Sequence, residues 1–242
     1  MNKGLLWTLS LVVLFTSACG KRVMSGKGEI VTEERTTGSF ERIDISAPVE
    51  ANVHIRPGSA ATLTFSGYKN LIDELEAEVV DNTLTIDSKN DFLDFDTDRD
   101  VVAEITVGSL SDLEIHGAAD ATVDGVITGQ DFRLKISGAG DVSIEKLEVT
   151  NLTATISGAG DVDIAGGTAE NAHFKISGAG NVNAFGLVTN NLTAKVSGAG
   201  DMKVNATATL DAKVSGAGSI RYKGQPALKS ETSGIGEIAA AD

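Results

Sequence analysis

Apolar and polar residues alternate in the C-terminal half of the chain, and the alternation recurs in a series of short segments. The apolar positions are Phe132, Leu134 and Ile136; Leu152, Ala154 and Ile156; Phe174 and Ile176; Leu192, Ala194 and Val196; and Leu210, Ala212 and Val214. A period of two residues is that of a β-strand with one buried face. The pattern therefore predicts a set of similar strands rather than helices.

Each segment runs into the same short phrase, Ile-Ser-Gly-Ala-Gly-Asp at 136–141 and again at 156–161. The first glycines of the copies are Gly117, Gly138, Gly158, Gly178, Gly198, Gly216 and Gly234, with steps of 21, 20, 20, 20, 18 and 18 residues. Such a period indicates a solenoid of stacked repeats. We therefore predict an all-β fold over residues 113–242, a parallel β-helix with turns of 18–21 residues.

In a solenoid, equivalent residues of successive turns stack into columns, and the residue types in a column indicate the local backbone shape. The column Asp131, Asn151, Asn171 and Asn191 fits a bend, because Asn and Asp bond to nearby backbone. For the Gly-Ala-Gly phrase we expect a tight corner with positive φ at glycine. The column Asp120, Asp141, Asp161, Asn181 and Asp201 has two interpretations, a ladder of cation ligands or a polar cap on each corner. We favour the cap, because calcium-binding rolls repeat as nonapeptides.

The first half of the sequence is β-rich but irregular, and we assign residues 38–112 to an N-terminal lobe or cap. Residues 46–48 resemble a degenerate copy of the repeat corner. Residues 68–77 predict a short helix, and residues 79–86 predict a hairpin that turns at Asp81-Asn82. A solenoid needs covered ends, because an open end exposes strand edges.

The charge balance of the chain limits the kinds of partner that it can bind. The chain of 242 residues has a formal net charge of −14. This balance argues against a nucleic-acid partner, because phosphate binding needs a basic stripe. No cofactor is expected.

The N-terminus has the form of a bacterial lipoprotein leader. A lysine, an apolar run and the small residues of Thr16-Ser17-Ala18 precede Cys19, the only cysteine. We predict a signal peptide over residues 1–18, lipidation of Cys19, and a polar tether over residues 19–37. The alternatives are a plain secreted protein and a short membrane anchor, although the apolar run is too short to span a bilayer. The lipid would hold the protein at the outer membrane, facing the periplasm, with the cell surface as the alternative.

Residues 91–100 form an acidic segment in which Asp94, Asp96 and Asp98 resemble the start of a calcium loop. Arg99 and Ile105 stand where an EF-hand needs Gly and Glu, so that motif is excluded. A looser oxygen site at the three aspartates is the alternative to a solvated loop.

Motifs of catalysis are absent from the sequence, which has no Gly-x-Ser-x-Gly and no His-Glu-x-x-His. His54, His116 and His173 are dispersed in predicted strand positions. An outward column of Lys135, Lys175, Lys195 and Lys213 could bind an acidic polymer. We favour the plainer interpretation, a solvated face that discourages strand pairing.

Three parts of the sequence carry a family resemblance: residues 39–45, residues 79–86 and the serial Ile-Ser-Gly-Ala-Gly-Asp phrases. They resemble the bacterial family described as "putative auto-transporter adhesin, head GIN domain", frequent in Bacteroidetes lipoproteins. The resemblance implies a β-helical extracytoplasmic protein and supplies no catalytic residues. We predict a non-enzymatic envelope lipoprotein that binds an unknown protein or glycan. The alternative is a β-helical enzyme or binding protein for acidic polysaccharide.

Overall fold

A computed structural model of the chain describes residues 22–90 and 93–241. The elements are β1 (Arg22–Ser25), β2 (Ile30–Arg35), β3 (Arg42–Ile45), β4 (Glu50–Ile55), β5 (Thr62–Tyr68), α1 (Lys69–Ile72), β6 (Leu75–Val80), β7 (Thr83–Ser88), β8 (Leu93–Asp96), β9 (Val102–Val107), β10 (Asp112–Ile115), β11 (Asp120–Ile136), β12 (Val142–Ile156), β13 (Val162–Ile164), β14 (Gly167–Ile176), β15 (Val182–Val196), β16 (Met202–Val214), β17 (Ser219–Lys223), β18 (Ala227–Thr232) and β19 (Glu237–Ala240).

The repeats form a parallel β-solenoid of about six turns, as the sequence predicts. Each turn has three faces. The first face contains the strand segment before the Gly-Ala-Gly corner, the second face the segment after it, and the third face the segment that leads back to the next turn. Equivalent residues pair across turns, so that Ile136 lies beside Ile156, and Ile156 beside Ile176.

The core lies inside the coil and is filled by the apolar half of each alternating pattern. Ile136, Ile156 and Ile176 are each at most 1% exposed. Phe132 and Phe174 are among the largest fully buried side chains. Burial of one such side chain contributes about 1.5–3 kcal/mol. A single turn cannot enclose this core alone, because each inward row packs against the rows above and below.

The regular stack begins before residue 113. On the first face β3 pairs in parallel with both β10 and β7. On the second face β4 pairs in parallel with both β11 and β9. The N-terminal half therefore shares the sheet of the repeats, and the division at residues 112 and 113 does not mark where coiling starts. The resemblance of residues 46–48 to a corner holds, since Gly117 stacks on the carbonyl of Ser46.

Antiparallel strands follow at the N-terminal end of the stack. On one side β5 pairs with β9, and β2 pairs with β5. On the other side β6 pairs with β7. The predicted tether is wrong for residues 22–25 and 30–35, because β1 pairs with β8 and β2 belongs to the main sheet. Exposed and half-buried residues alternate along β2, as in a strand with one face against the sheet.

Local predictions in this half hold in part. The β6–β7 hairpin turns at Asp81 and Asn82, which have φ of 48° and 65°. These left-handed conformations suit a type I′ turn. The helix is shorter than predicted: α1 covers one turn, and the chain resumes as β6 at Leu75. From Leu75 onward the chain pairs with β7 as a strand, and this pairing overrides the weak helical pattern of the sequence.

The corner glycines are required by close stacking and not by positive φ, so our conformational expectation is wrong. A Cβ on Gly158 would lie 1.8 Å from the carbonyl oxygen of Gly138, and one on Gly178 would lie 1.9 Å from that of Gly158. Among the described glycines of the repeated corner phrases, only Gly234 has a positive φ. The turns approach so closely here that no side chain fits.

Candidate binding face and charged clusters

The aspartate column forms a hydrogen-bonded ladder along one edge of the solenoid. The backbone N–H of Asp141 donates to Oδ1 of Asp120, and that of Asp161 donates to Oδ1 of Asp141, each over 2.8 Å. The ladder continues through Asn181 and Asp201 at 2.8 and 3.0 Å. Each carboxylate thus satisfies an exposed backbone donor of the next turn, and an amide serves equally well at Asn181. This geometry agrees with the corner interpretation.

A second ladder runs where the third face turns into the first face. The Asn151 amide donates to Asp131 over 2.8 Å, and the Asn171 amide donates to Asn151 over 3.0 Å. Asn191 continues the series at 3.2 Å. An Asn amide has two N–H donors and an acceptor with two lone pairs. Each inner rung therefore keeps one N–H donor that the ladder does not use.

A shallow groove of about 590 Å³ follows this asparagine ladder along the solenoid axis. Its outer rim on the first face is formed by Thr153, His173 and Thr193. The groove extends over Thr209 and Lys229 toward the C-terminal turns. The groove is open along its length and crosses several turns. This shape suits an extended chain better than the enclosed pockets that bury compact small molecules.

Ion pairs occupy both ends of the first face. At the N-terminal end, Nε of Arg133 donates to Asp112 over 2.7 Å, and Nζ of Lys135 donates to Glu114 over 2.7 Å. At the C-terminal end, Lys213 pairs with Glu231 over 2.8 Å, and Lys229 pairs with Asp211 over 3.4 Å. Between them, Lys175 and Lys195 form no ion pair with any described residue.

His173 lies between the two unpaired lysines and the groove. Burial lowers the pKa of its imidazole, and the neighbouring Lys195 and Lys175 ammonium groups lower it further. The histidine is therefore neutral near pH 7, with one ring nitrogen that donates and one that accepts. The four predicted lysines do lie in one row across the paired strands of the first face. Only the two central ones, Lys175 and Lys195, have no carboxylate partner among the described residues.

A first charged cluster joins three strands at the N-terminal end of the first face. Asp44, Glu114 and His116 place their candidate ligand atoms within 4.8 Å of one another. Burial raises the pKa of Asp44, and its Oδ1 has no hydrogen bond. Burial also disfavours ionisation of Glu114, yet Lys135 and then Arg133 lower its pKa overall.

A second charged cluster lies on the second face, where His54 bridges two carboxylates. Nε2 of His54 is 2.7 Å from Glu104, and Nδ1 is 2.7 Å from Asp124. Arg56 donates to the other oxygen of Asp124 over 2.8 Å. The hydrogen bond to Glu104 raises the pKa of His54, with a further contribution from Asp124. The same bond lowers the pKa of Glu104.

The predicted site residues have separate places. Cys19 and the leader lie outside the described residues. Asp94 and Asp96 lie on β8, and Asp98 accepts a hydrogen bond of 3.0 Å from the Tyr68 hydroxyl. Within the described residues, the group of three candidate ligands that meets is the Asp44 cluster and not these aspartates. The cation site at Asp94, Asp96 and Asp98 stays a prediction.

Sequence reasoning missed both charged clusters. His54 and Asp124 are 70 residues apart, and His116 and Asp44 are 72 apart by number. The registers of β4 with β11 and of β3 with β10 bring them together. The one available signal was the resemblance of residues 46–48 to a corner, which would have aligned β3 with β10.

A family model matches most of the chain and identifies its family. Residues 39–226 match the family model described as "Putative auto-transporter adhesin, head GIN domain". The chain belongs to this family. Among proteins with curated functions, none matches the sequence. The resemblance seen in the repeated phrases is therefore confirmed.

Solved structures show the same fold. A crystal structure of a "putative adhesin" from Bacteroides fragilis is 27% identical, with a TM-score of 0.84 over 90% of this chain and 100% of that one. A "putative lipid binding protein" from Parabacteroides distasonis is 23% identical, with a TM-score of 0.71 over 91% of this chain and 100% of that one.

Within the described part of the chain, no helix has the length and apolar character that a membrane crossing requires.

Proposed function

We propose that this family member is a non-enzymatic lipoprotein of the cell envelope, in which a lipid on Cys19 anchors a stiff solenoid that binds a ligand through its faces. The supporting observation is the regular stack, whose ladders of equivalent side chains present a long ordered surface. Each turn is held by backbone pairing along three faces, so the surface is preorganised, and less conformational freedom is lost on binding.

The anchor can be tested separately from the ligand. Cells fed an alkyne fatty acid should incorporate it into the full chain, and Cys19→Ala should abolish the label and release the protein into the soluble fraction. Ser17→Ala is a matched control that should keep both the label and the membrane fraction. An unlabelled wild-type protein would contradict the lipoprotein assignment.

Adhesion can be tested on whole cells. A strain without the protein should adhere less to immobilised glycans or proteins of its habitat, and the wild-type gene should restore adherence. Purified full-length protein in detergent should bind the same surface. Equal adherence of both strains, together with no binding by the purified protein, would contradict a binding role.

A second candidate function rests on the Asp44 cluster. Some β-helical proteins cleave acidic polysaccharides with carboxylates, calcium and a basic residue on one face, and here Asp44 and Glu114 lie beside Arg133 and Lys135. The ion pairs of Glu114 count against this role, because they occupy the groups that would act. Unsaturated product from polygalacturonate, dependent on calcium and lost in Asp44→Asn, would favour the enzyme; no product with or without calcium would exclude this reaction.

A further inference from the structure

The middle of the first face differs in charge from the rest of this acidic protein. We call its outward residues the central patch: Thr153, Thr155, His173, Lys175, Thr193 and Lys195. The chain has 34 Asp and Glu residues against 20 Lys and Arg residues, yet this patch has no carboxylate. The adjoining corner residues are asparagines and serines. The patch therefore presents positive charge and hydrogen-bond donors.

The charge of the patch is available to a ligand. Every other cation on the first face named above is held by a carboxylate on a neighbouring strand, whereas Lys175 and Lys195 are not. The two lysines are direct neighbours in the register of β14 and β15. Adjacent strands lie about 4.8 Å apart. Two like charges at this distance favour a polyanion that neutralises both at once.

The shape beside the patch suits a linear molecule. The groove along the asparagine ladder crosses several turns parallel to the solenoid axis. Unused N–H donors of Asn151 and Asn171 lie along this groove, and Thr153, His173 and Thr193 line it as well. Such groups match the hydroxyls and ring oxygens of a sugar chain.

Other polymers fit less well. Sequence-tolerant binding of single-stranded nucleic acid uses aromatic side chains on which bases stack, and the residues that line the groove and patch include no Phe, Tyr or Trp. The buried centres of protein interfaces are rich in aromatic residues, and the groove and patch have none.

We propose that the groove and the central patch bind a linear anionic glycan, one that carries carboxylate or sulfate groups, laid along the solenoid axis. Asparagine, threonine and histidine side chains hold the sugar hydroxyls, while Lys175 and Lys195 pair with the anionic groups. This inference rests on the proposed binding function and names the ligand class for it.

The probe is polygalacturonate, with dextran as the neutral polymer and double-stranded DNA as the other polyanion. Full-length protein in detergent should bind polygalacturonate at low salt, and the affinity should fall as salt screens the charges. The double variant Lys175→Ala/Lys195→Ala should bind at least about ten-fold more weakly, a loss of about 1.4 kcal/mol. The charge-preserving pair Lys175→Arg/Lys195→Arg should keep most of the affinity.

A matched control removes two exposed lysines elsewhere. Lys27→Ala/Lys203→Ala makes the same change of net charge away from the first face and should bind as the wild type does. Equal loss in both double variants, or equal binding of dextran or DNA, would overturn the inference. Unchanged thermal unfolding of the variants would show that weaker binding is not a folding defect.

The failure of this inference differs from the failure of the proposed function. If polygalacturonate does not bind while the protein still adheres to a protein or a neutral glycan, the ligand class is wrong and the adhesin role stands. If the strain without the protein adheres normally and no polymer binds, both are wrong.

Discussion

At the scale of single residues, the corner glycines are the most constrained positions. Gly158→Ala would place a methyl group 1.8 Å from the Gly138 carbonyl oxygen. The backbone of one turn must then move away from the other, so we expect a loss of about 3 kcal/mol of stability, at the upper end of the usual cost of overpacking. Thermal or urea unfolding measures the loss.

Gly129→Ala is the matched control for this substitution. A Cβ there meets nothing nearer than the Asp131 carbonyl oxygen at 4.0 Å, and its φ is not positive. Alanine at such a site is neutral or stabilises by about 0.4–1 kcal/mol through the unfolded chain. Equal destabilisation by both variants would mean that close stacking does not explain the corner glycines.

His54 supplies a residue-scale prediction for pH dependence. Its pKa in the folded protein lies above the usual 6.5, because Glu104 and Asp124 bond to the imidazolium. This stabilisation is complete below pH 6.5 and is lost as the pH rises through the folded pKa. The lowered pKa of Glu104 acts in the opposite direction, since its contribution is lost as the pH falls toward its own pKa.

The measurement is the stability difference between wild type and His54→Gln at several pH values. We expect the difference to be larger near pH 6 than near pH 9. His173→Gln is a suitable comparison, since burial lowers the pKa of His173 and its protonation does not stabilise the fold. A difference for His54→Gln that does not change with pH would contradict the bridging geometry.

At the scale of elements, the aspartate ladder decides between a structural and a cation-binding corner. Oδ1 of Asp161 accepts bonds from the backbone N–H and the side chain of Asn181 at 2.8 and 2.9 Å. Asp161→Ala should cost about 1 kcal/mol for each lost bond at most. Asp161→Asn keeps an acceptor in place, as Asn181 itself does, and should be neutral.

Calcium titration completes this comparison. The structural interpretation expects the same melting temperature with and without calcium in the wild type and in Asp161→Asn. A melting temperature that rises with calcium in the wild type, and less so in Asp161→Asn, would restore the cation ladder, because a ligand that binds only the folded state stabilises it.

At the scale of the whole molecule, the antiparallel strands at the N-terminal end protect the stack. β2 covers the outer edge of β5, and β5 packs the buried Leu63 and Phe65 beside β9. A chain that begins at residue 38 lacks β1 and β2 and leaves the β5 edge open. An exposed edge pairs with other chains, so we expect lower thermal stability and soluble oligomers by size-exclusion chromatography.

A chain that begins at residue 22 is the control for this deletion, since it lacks only the leader region and keeps both strands. It should remain monodisperse with the stability of the longer protein. If both shortened chains behave alike, β1 and β2 do not protect the edge of the stack.

Much of the repeat architecture could be predicted from the sequence, because it depends on residues that are close together in the chain. The twenty-residue period, the alternation around Ile136 and Ile156, and the asparagine column each follow from neighbouring residues, and stacking only repeats them. The proposed binding surface could be predicted in part: the lysine column was visible in the sequence, whereas its pairing with Glu114 and Glu231 was not.

The sequence by itself determined the fold class, the length of a turn and which side chains point inward, because a strand's two faces alternate whatever surrounds it. Only the tertiary structure decided that β3 and β4 join the stack, that His54 meets Asp124, and that Lys175 and Lys195 stand apart from carboxylates. The first two depend on the register between segments about 70 residues apart, which is set by packing of the whole coil and has no local pattern in the chain. The third depends on which side chains lie opposite each lysine one turn away.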